Sequence, residues 1–353
     1  MPVKVFYIPF CYRGSTETLL NASVENIKGP DYSKVLYIAP TPRKVRDAQR
    51  IFHHIKGGCY IPPEMLTIKQ LSKRFYSLYG NKLILPGQLI PLIFAQISGK
   101  GIGYASIIAD FINEIKQYHP GESIDTVEGE LNAIFSDLGI PEEVSRRAME
   151  ALGIFKTYQA ILEEESVVDE DDVMTLCPHL IQQHTRVIDI LILDGFYELT
   201  RSEEAILKVL IEHAQDTFAA FPYDVTLNDD ITKSYVGFIN SNFKTEESFL
   251  SADRTIIDPY YQPCSSVEEE VEGIARNIKN HFISGKITTL EKVVIAFPKL
   301  LEYADIIERV FRRYGIPYVI SNSRPLGKER PFLDLIALLK SVADDYPKLP
   351  FSR

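Results

Sequence analysis

Cysteine is scarce in this 353-residue sequence, and its placement excludes two kinds of stabilised site. The four cysteines lie far apart and form no C-x-x-C pair: Cys11, Cys59, Cys177 and Cys264. A disulfide framework or a closed zinc site needs grouped ligands, so free thiols in a reducing compartment are expected. The spacing of Cys177, His179 and His184 also fits no common zinc pattern. We therefore predict no metal site in this chain.

Long apolar runs are missing as well. No segment approaches the roughly 20 consecutive apolar residues that a membrane-spanning helix needs. The amino-terminal segment has neither the apolar stretch nor the small-residue cleavage site of a signal peptide. The sequence thus predicts a cytoplasmic protein without membrane contact. With 45% hydrophobic residues, it has enough apolar material for two or three domains.

Positive charge is in deficit, since the formal net charge is −10 at pH 7. Such a chain is not expected to bind nucleic acid over its whole surface. Residues 43–82 and 309–330 are nevertheless rich in lysine and arginine. These two segments are equally consistent with phosphate-contacting faces and with ordinary solvated helix faces. The acidic runs Glu163–Glu165 and Asp169–Asp172 are predicted to be a solvated helix end and loop.

Both ends of the chain have an α/β pattern. Short apolar, β-branched runs alternate with helices, as expected for a parallel sheet that is covered on both faces. The predicted strands are Val3–Ile8, Val35–Ala39, Val187–Leu193, Asp216–Phe221, Lys292–Phe297 and Pro317–Ile320.

Local signals mark the helices between these strands. Thr41 and Pro42 suit the N-cap and the first position of a helix, and Thr200 with Glu203 predicts a capping box. Residues 68–180 carry helical stripes without a convincing strand, and predict an all-helical insertion between two strands of one sheet. Residues 225–262 are polar and weakly periodic, which is typical of a loop or linker.

The segment after the first strand is where a P-loop would lie. The glycines of a P-loop let backbone N–H groups wrap the phosphates, and its lysine bridges the β- and γ-phosphates. Gly14 and Thr16 stand where the second glycine and the magnesium-binding hydroxyl would be. Pro9 replaces the first glycine, and Ser15 replaces the lysine. The segment is a remnant nucleotide pocket or, as the weak match favours, a plain strand–turn–helix connection.

The strand Val187–Leu193 leads directly into Asp194 and Gly195. An acid at the end of a core strand is placed to hold magnesium at a phosphate site. An ATPase would carry a second carboxylate beside it to orient the attacking water, but this chain has glycine there. The alternative is that Asp194 only shapes the turn before the helix that starts at Thr200.

Together these segments resemble a UvrD-type (superfamily 1) helicase module. The resemblance covers nearly the whole chain and rests on D-G-F-Y at residues 194–197 together with G-I-P-Y at residues 315–318. D-G-F-Y in place of the helicase double-acid motif is similar to AddB-type subunits of bacterial helicase–nuclease complexes. The implied fold is a P-loop NTPase-like parallel sheet (a RecA-like motor domain) with an all-helical insertion and a partial second α/β domain.

The resemblance also implies a domain organisation, in which the chain continues beyond its last residue. Residues 1–75 would be the first part of the first RecA-like domain, residues 76–182 the helical insertion, residues 183–258 the second part, and residues 259–353 the truncated start of a second RecA-like domain.

The function implied by the resemblance is in DNA repair and recombination. The P-loop lysine is Ser15, the catalytic glutamate is Gly195, and an arginine of the second motor domain falls on Ala304. Because phosphoryl transfer depends on such groups, the module is expected neither to hydrolyse ATP nor to translocate. It would hold single-stranded DNA and duplex ends beside an AddA-type helicase–nuclease subunit.

The parent protein implied by the resemblance is an exodeoxyribonuclease subunit. Its PD-(D/E)XK nuclease domain and iron–sulfur cysteines would lie further C-terminal, so no ATP, magnesium or other cofactor is expected in this chain. The implied site residues form two sets. The nucleotide-site remnant is Gly14, Ser15, Thr16 and Asp194, and the candidate DNA contacts are Arg43, Lys44, Arg46, Lys69, Lys73 and Arg324.

Three questions remain open from the sequence. Phe75, Tyr76 and Tyr79 are spaced either to stack on DNA bases or to pack in a core. The chain could instead be a divergent active ATPase that uses Arg13 and Glu198. It could also be a scaffold that binds a partner protein and no DNA.

Overall fold

The computed structural model describes residues 2–9, 12, 14–25, 27, 29–184, 187–223, 232–250, 262–321 and 330–343. The chain divides into two compact units, Met1–Thr255 and Ile256–Arg353. The first unit contains a large sheet, and the second is helical where it is described.

The first unit is built on a six-stranded parallel sheet. Its strands are β1 (Val3–Pro9), β2 (Val35–Ala39), β3 (Glu64–Thr67), β6 (Ile188–Leu193), β7 (Ala214–Tyr223) and β8 (Thr245–Phe249), while β4 (Leu83–Ile84) and β5 (Val167–Val168) form a separate parallel pair. The strand order is β3-β2-β6-β7-β1-β8, and neighbouring strands run parallel. The predicted α/β class with a parallel sheet is therefore confirmed.

The apolar strands of this sheet lie where the sequence predicts them. β2 has the predicted bounds, and β1, β6 and β7 differ from the prediction by a residue or two at their ends. β3 and β8 are not predicted, because β3 has only four residues and β8 is the polar segment T-E-E-S-F at an edge of the sheet. An edge strand tolerates polar residues, since one of its sides is not covered by a neighbour.

Ten helices of the first unit are described: α1 (Ser15–Val24), α2 (Pro42–Lys56), α3 (Ile68–Tyr79), α4 (Ile90–Ser98), α5 (Ile102–Tyr118), α6 (Ile124–Asp137), α7 (Glu142–Glu164), α8 (Glu170–His184), α9 (Arg201–His213) and α10 (Lys233–Asn242). Both predicted helix starts are confirmed. Thr41 accepts a hydrogen bond from the backbone N–H of Lys44, and Thr200 and Glu203 form a reciprocal capping box.

Helices cover both faces of the sheet. On one face, Leu19 of α1 and Phe52 of α2 join the apolar cluster that includes Tyr37. On the other face, Leu71, Cys177 and Ile206 of α3, α8 and α9 pack against the strands. All five residues of β2 are buried, which explains the uninterrupted apolar run V-L-Y-I-A.

A separate apolar core lies in the helical part between β4 and β5. Phe94 of α4, Ile112 of α5 and Tyr158 of α7 are at its centre, and their spacing matches the helical stripes of the sequence. The prediction that residues 68–180 contain no strand is wrong, because Leu83–Ile84 pairs with Val167–Val168. Two-residue strands carry no periodicity that a sequence pattern would reveal.

The prediction of a loop or linker over residues 225–262 is wrong for part of that range. Helix α10 and strand β8 both lie within it. Tyr235 and Ile239 of α10 are completely buried in the core of the first unit. The polar residues between them lowered the apparent periodicity, although a single apolar stripe is enough to dock a short helix.

The second unit contains α11 (Val267–Ile283), α12 (Leu300–Tyr314) and α13 (Arg330–Ala343). The predicted strands Lys292–Phe297 and Pro317–Ile320 are wrong, because neither segment has strand pairing among the described residues. Ile295 and Ile320 instead pack against the α11–α12 cluster. A short apolar run signals burial, but it does not by itself supply a neighbouring strand.

Among the described residues, no single helix is both long and apolar enough to cross a membrane; the bent pair Gly87–Ser98 and Ile102–Tyr118 meets the length and composition requirement only when taken together.

Candidate functional site

The residues predicted as a nucleotide-site remnant meet at the carboxyl edge of the sheet. β1, β2 and β6 run parallel, so the turns that follow them open at this edge. Gly14 precedes α1 in a left-handed conformation with φ of 89°, Ser15 is half-buried at the start of that helix, and Thr16 is buried beside it. Asp194 follows β6 and is 2% exposed.

Three donors from other elements converge on one carboxylate oxygen of Asp194. Oδ2 accepts hydrogen bonds from the hydroxyl of Thr16 at 2.8 Å and from the hydroxyl of Tyr37 at 2.8 Å. The Nζ atom of Lys44 lies 3.3 Å from the same oxygen. A buried carboxylate needs such partners, because an unpaired charge in a low-dielectric interior is strongly unfavourable.

These contacts answer one question that the sequence leaves open. If Asp194 only shaped its own turn, its hydrogen-bond partners would be local backbone groups. Its donors instead come from α1, β2 and α2. The strand–turn–helix connection after β1 and the acid after β6 therefore form one polar cluster.

Two buried tyrosines respond to this acid. Burial and the Asp194 carboxylate raise the pKa of Tyr37, so its hydroxyl keeps its proton and stays a donor. Burial raises the pKa of Tyr235, and the charge of Asp194 adds to the effect. The Tyr235 hydroxyl has no hydrogen-bond partner in the described part of the chain.

Gly195 makes room for the lysine. Its φ is 83°, which is the left-handed region that favours glycine. A Cβ atom at this position would lie 3.2 Å from Cε of Lys44 and 3.7 Å from its Cδ and Cγ atoms. The alkyl stem of Lys44 therefore passes directly beside the backbone where an ATPase would carry its second carboxylate.

The residues present do not fit a magnesium–phosphate group. The Asp194 oxygen that carries these contacts already has two hydroxyl donors and an ammonium group. Ser15 has no charge to offer a phosphate, and Glu198 is exposed to solvent. Arg13, the other residue of the active-ATPase alternative, lies outside the described residues.

The candidate DNA contacts differ in their surroundings. α2 and α3 start directly after the adjacent strands β2 and β3, so their first turns lie at the same edge of the sheet. Arg43 and Arg46 of α2 and Lys69 of α3 are exposed there. Lys44 is paired with Asp194, and Lys73 forms an ion pair with Glu170 at 2.7 Å. Arg324 lies outside the described residues.

The basic segment 309–330 has the character of a solvated helix face where it is described. Arg309 and Arg313 of α12 form ion pairs with Glu268 of α11, and Arg312 pairs with Glu308 one turn away. These charges are balanced locally and do not form a phosphate-binding face.

The three aromatic side chains of α3 mostly serve packing. Tyr76 is buried, and Phe75 is half-buried against the core of the first unit. Tyr79 is 43% exposed and stacks on His184, with ring centroids 4.0 Å apart and an interplanar angle of 5°. Cys177 of the rejected zinc pattern is buried, and burial raises the pKa of its thiol to about 11.

The prediction that Asp169–Asp172 is a solvated loop is wrong. Asp169 and Asp171 are 2% and 8% exposed. Nζ of Lys116, itself buried on α5, lies 2.5 Å from Asp169 and 2.8 Å from Asp172, and Tyr158 donates to Asp169 at 3.0 Å. The acids are paired across three helices, which a local charge count does not reveal.

With this geometry established, comparison with known proteins places the chain. Residues 92–251 match the family described as ADDB, N-terminal. The chain contains an AddB-type N-terminal domain. The resemblance to AddB-type subunits is thereby confirmed, and the match covers most of the helical part as well as β6, α9, β7, α10 and β8.

Two AddB-type relatives extend this result at low identity. The B-type subunit of the ATP-dependent helicase/deoxyribonuclease of Exiguobacterium sibiricum is 19% identical over 386 residues, which cover 94% of this chain and 33% of that protein. The protein of the same name from Bacillus pumilus is 22% identical over 234 residues, or 54% of this chain and 20% of that protein. The chain thus spans about a third or less of the relatives that it matches.

Proposed function

We propose that this chain is a non-hydrolysing, helicase-like module of a complex that processes DNA double-strand breaks. In this role it holds single-stranded DNA and contacts a partner helicase–nuclease subunit. The relatives are named as subunits of an ATP-dependent helicase/deoxyribonuclease, which supports a place in a helicase–nuclease complex. The parallel sheet with a polar cluster at its carboxyl edge supports descent from a RecA-like, P-loop NTPase fold.

The observation that carries the non-hydrolysing assignment is the pairing of Lys44 with Asp194 beside Gly195. The lysine supplies a fixed positive charge to the acid that would otherwise help to hold magnesium. Gly195 leaves the site without a carboxylate to orient water. Because the charge-stabilising groups of phosphoryl transfer are replaced together, little catalytic power would remain.

The test of this assignment is ATP turnover by the chain in the presence of single-stranded DNA. We expect no DNA-stimulated hydrolysis in the unmodified chain or in the Asp194→Asn variant. Turnover that is present in the unmodified chain and lost in Asp194→Asn would overturn the assignment and favour a divergent ATPase.

The DNA-binding assignment rests on the exposed cations at the starts of α2 and α3. Arg43, Arg46 and Lys69 lie at the carboxyl edge, where two adjacent parallel strands deliver both helix starts. Three phosphate contacts would give a slope of about −2 for log K against log salt, since each contact to a single strand contributes about −0.7.

Variants of these cations test the surface directly. The double variant Arg46→Ala/Lys69→Ala should weaken single-stranded DNA binding and reduce the salt slope by about 1.4. A charge-matched control, Lys100→Ala/Lys156→Ala, removes two cations that pair with Glu150 and Asp125 on the helical part. Equal losses in both double variants would show that only net charge matters.

A protein-binding scaffold without DNA contact is the second candidate. It is favoured by the ion pairs that engage two of the predicted DNA contacts, Lys44 with Asp194 and Lys73 with Glu170. Absence of single-stranded DNA binding at low ionic strength, together with co-purification of a helicase–nuclease subunit, would establish this candidate in place of the DNA-binding one.

A further inference from the structure

A tight turn between α5 and α6 brings together three side chains that no part of the proposed function uses. The segment H-P-G-E, residues 119–122, has proline at the second position and glycine with φ of 76° at the third. The N–H of Glu122 donates to the carbonyl of His119 at 3.3 Å. This is the pattern of a type II turn, which places the first and fourth residues close to each other.

α6 adds a second carboxylate to this turn. Nδ1 of His119 lies 3.1 Å from Oε2 of Glu122 and 3.6 Å from Oε2 of Glu130. One donor atom from each of the three residues lies within 4.8 Å of the others. Ser123 caps α6 by accepting from the N–H of Thr126 at 3.1 Å, which anchors the helix that carries Glu130 to the turn.

We propose that His119, Glu122 and Glu130 form a binding site for a divalent transition-metal ion of the zinc type. The donor set is one imidazole nitrogen and two carboxylate oxygens, which suits zinc and related ions and leaves a coordination position for water or an external ligand.

The distances between donors match this chemistry. Zinc–nitrogen and zinc–oxygen bonds of about 2.0–2.2 Å in tetrahedral geometry place two ligand atoms about 3.3 Å apart. The two distances from Nδ1 of His119 are 3.1 Å and 3.6 Å. The Glu122–Glu130 separation needs only a side-chain rotation to close, because Glu130 is 53% exposed and free to adjust.

The neighbourhood also offers a group that orients one ligand. Nη1 of Arg201 lies 3.7 Å from Oε1 of Glu122, while the Oε2 atom of the same carboxylate is directed at His119. Contacts of this kind to the outer oxygen of a ligand fix its orientation at metal sites. A bound ion would join the end of α5 to α6 and stiffen the helical part.

The competing explanation is a protonated His119 that forms ordinary ion pairs with both glutamates. Zinc titration calorimetry on the untagged chain separates the two. The background should carry Cys11→Ser, Cys59→Ser and Cys264→Ser, so that these thiols do not compete for zinc. The parent in this background should bind one zinc ion per chain and show a higher Tm with zinc than without.

Matched variants connect the binding to this turn. His119→Ala and Glu130→Gln should each weaken zinc binding more than about tenfold, whereas His54→Ala and Glu128→Gln, an exposed histidine of α2 and an exposed neighbour on α6, should leave it unchanged. Unchanged circular dichroism would show that the variants fold. The proposal is overturned if the parent binds no zinc, or if His119→Ala binds it as tightly as the parent.

Discussion

The ammonium group of Lys44 lies 3.3 Å from Oδ2 of Asp194, and the stem of the same lysine passes beside Gly195. The missing side chain at 195 and the acquired cation at Asp194 are therefore physically linked. A carboxylate-bearing side chain at 195 would occupy space that the lysine now uses. The geometry explains how a buried acid remains in a site that lacks the other residues of an ATPase.

Removal of Lys44 should destabilise the first unit. Lys44→Met leaves Asp194 buried with only its two hydroxyl donors, and we expect the free energy of unfolding to fall by about 1–3 kcal/mol. Urea unfolding followed by circular dichroism measures this change.

Two further variants show whether the loss comes from the pair. Lys44→Met/Asp194→Asn should recover part of the lost stability, because the unpaired charge is removed as well. Lys34→Met is the control, since its pair with Asp189 is exposed and lies at the opposite ends of the same strands, β2 and β6. A loss in Lys34→Met equal to that in Lys44→Met would contradict the assignment of a buried pair.

A side chain at position 195 should be unfavourable. Gly195→Ala forces a left-handed φ of 83° on an L-residue and brings Cβ to 3.2 Å from the Lys44 side chain. We expect a loss of about 1–2 kcal/mol in the free energy of unfolding. Gly153→Ala in α7 is the matched control, because its Cβ would meet nothing within 4 Å. A neutral Gly195→Ala would argue against the constraint at this turn.

The buried lysine of the helical part should matter more than its exposed counterparts. Lys116→Met leaves Asp169 and Asp172 without their cation, and removing one partner of a buried pair typically costs about 3–5 kcal/mol. The control Lys156→Met removes a lysine whose pair with Asp125 is exposed, and should have no measurable effect. Thermal or urea unfolding of both variants compares them, and similar stabilities would contradict the prediction.

Asp171 should give the protein a pH-dependent term of defined sign. Burial and the neighbouring Asp169 raise its pKa above the ordinary value of 3.8, against smaller opposing effects of Gln117, Lys69 and Lys116. The folded chain therefore takes up this proton at a higher pH than the unfolded chain. The contribution of Asp171 to stability rises as the pH falls through the raised pKa, and is complete below 3.8.

The test compares unmodified chain and Asp171→Asn between pH 7 and about pH 4. The stability of the unmodified chain relative to Asp171→Asn should increase as the pH falls. Asp110→Asn, at an exposed position of α5, reports any general effect of removing a carboxylate. A relative stability that is constant or decreases with falling pH would refute the assignment.

Several features could be predicted from the sequence because their causes are local. β2 shows as an apolar run, and the starts of α2 and α9 show as Thr-Pro and as a Thr-Glu capping box. Burial on both faces and backbone capping leave signals within a few residues of the chain. The family resemblance rests on short motifs and was confirmed by the match over residues 92–251.

The errors share a different cause. β8 and the β4–β5 pair were missed, and Lys292–Phe297 was wrongly predicted as a strand, since pairing depends on a neighbour that is distant in sequence. Asp169 was wrongly placed in solvent for the same reason, because Lys116 reaches it from another helix.

By itself, the sequence determined the parallel α/β class, the main helix starts and the AddB-type ancestry. Only the tertiary structure decided that Lys44 serves Asp194, that Lys116 serves the buried aspartates, and that His119 meets Glu130. Hydrophobic periodicity records which face of an element is buried, but it carries no information about the partner that covers it. Charged side chains acquire their roles from those partners, which only the folded chain brings within reach.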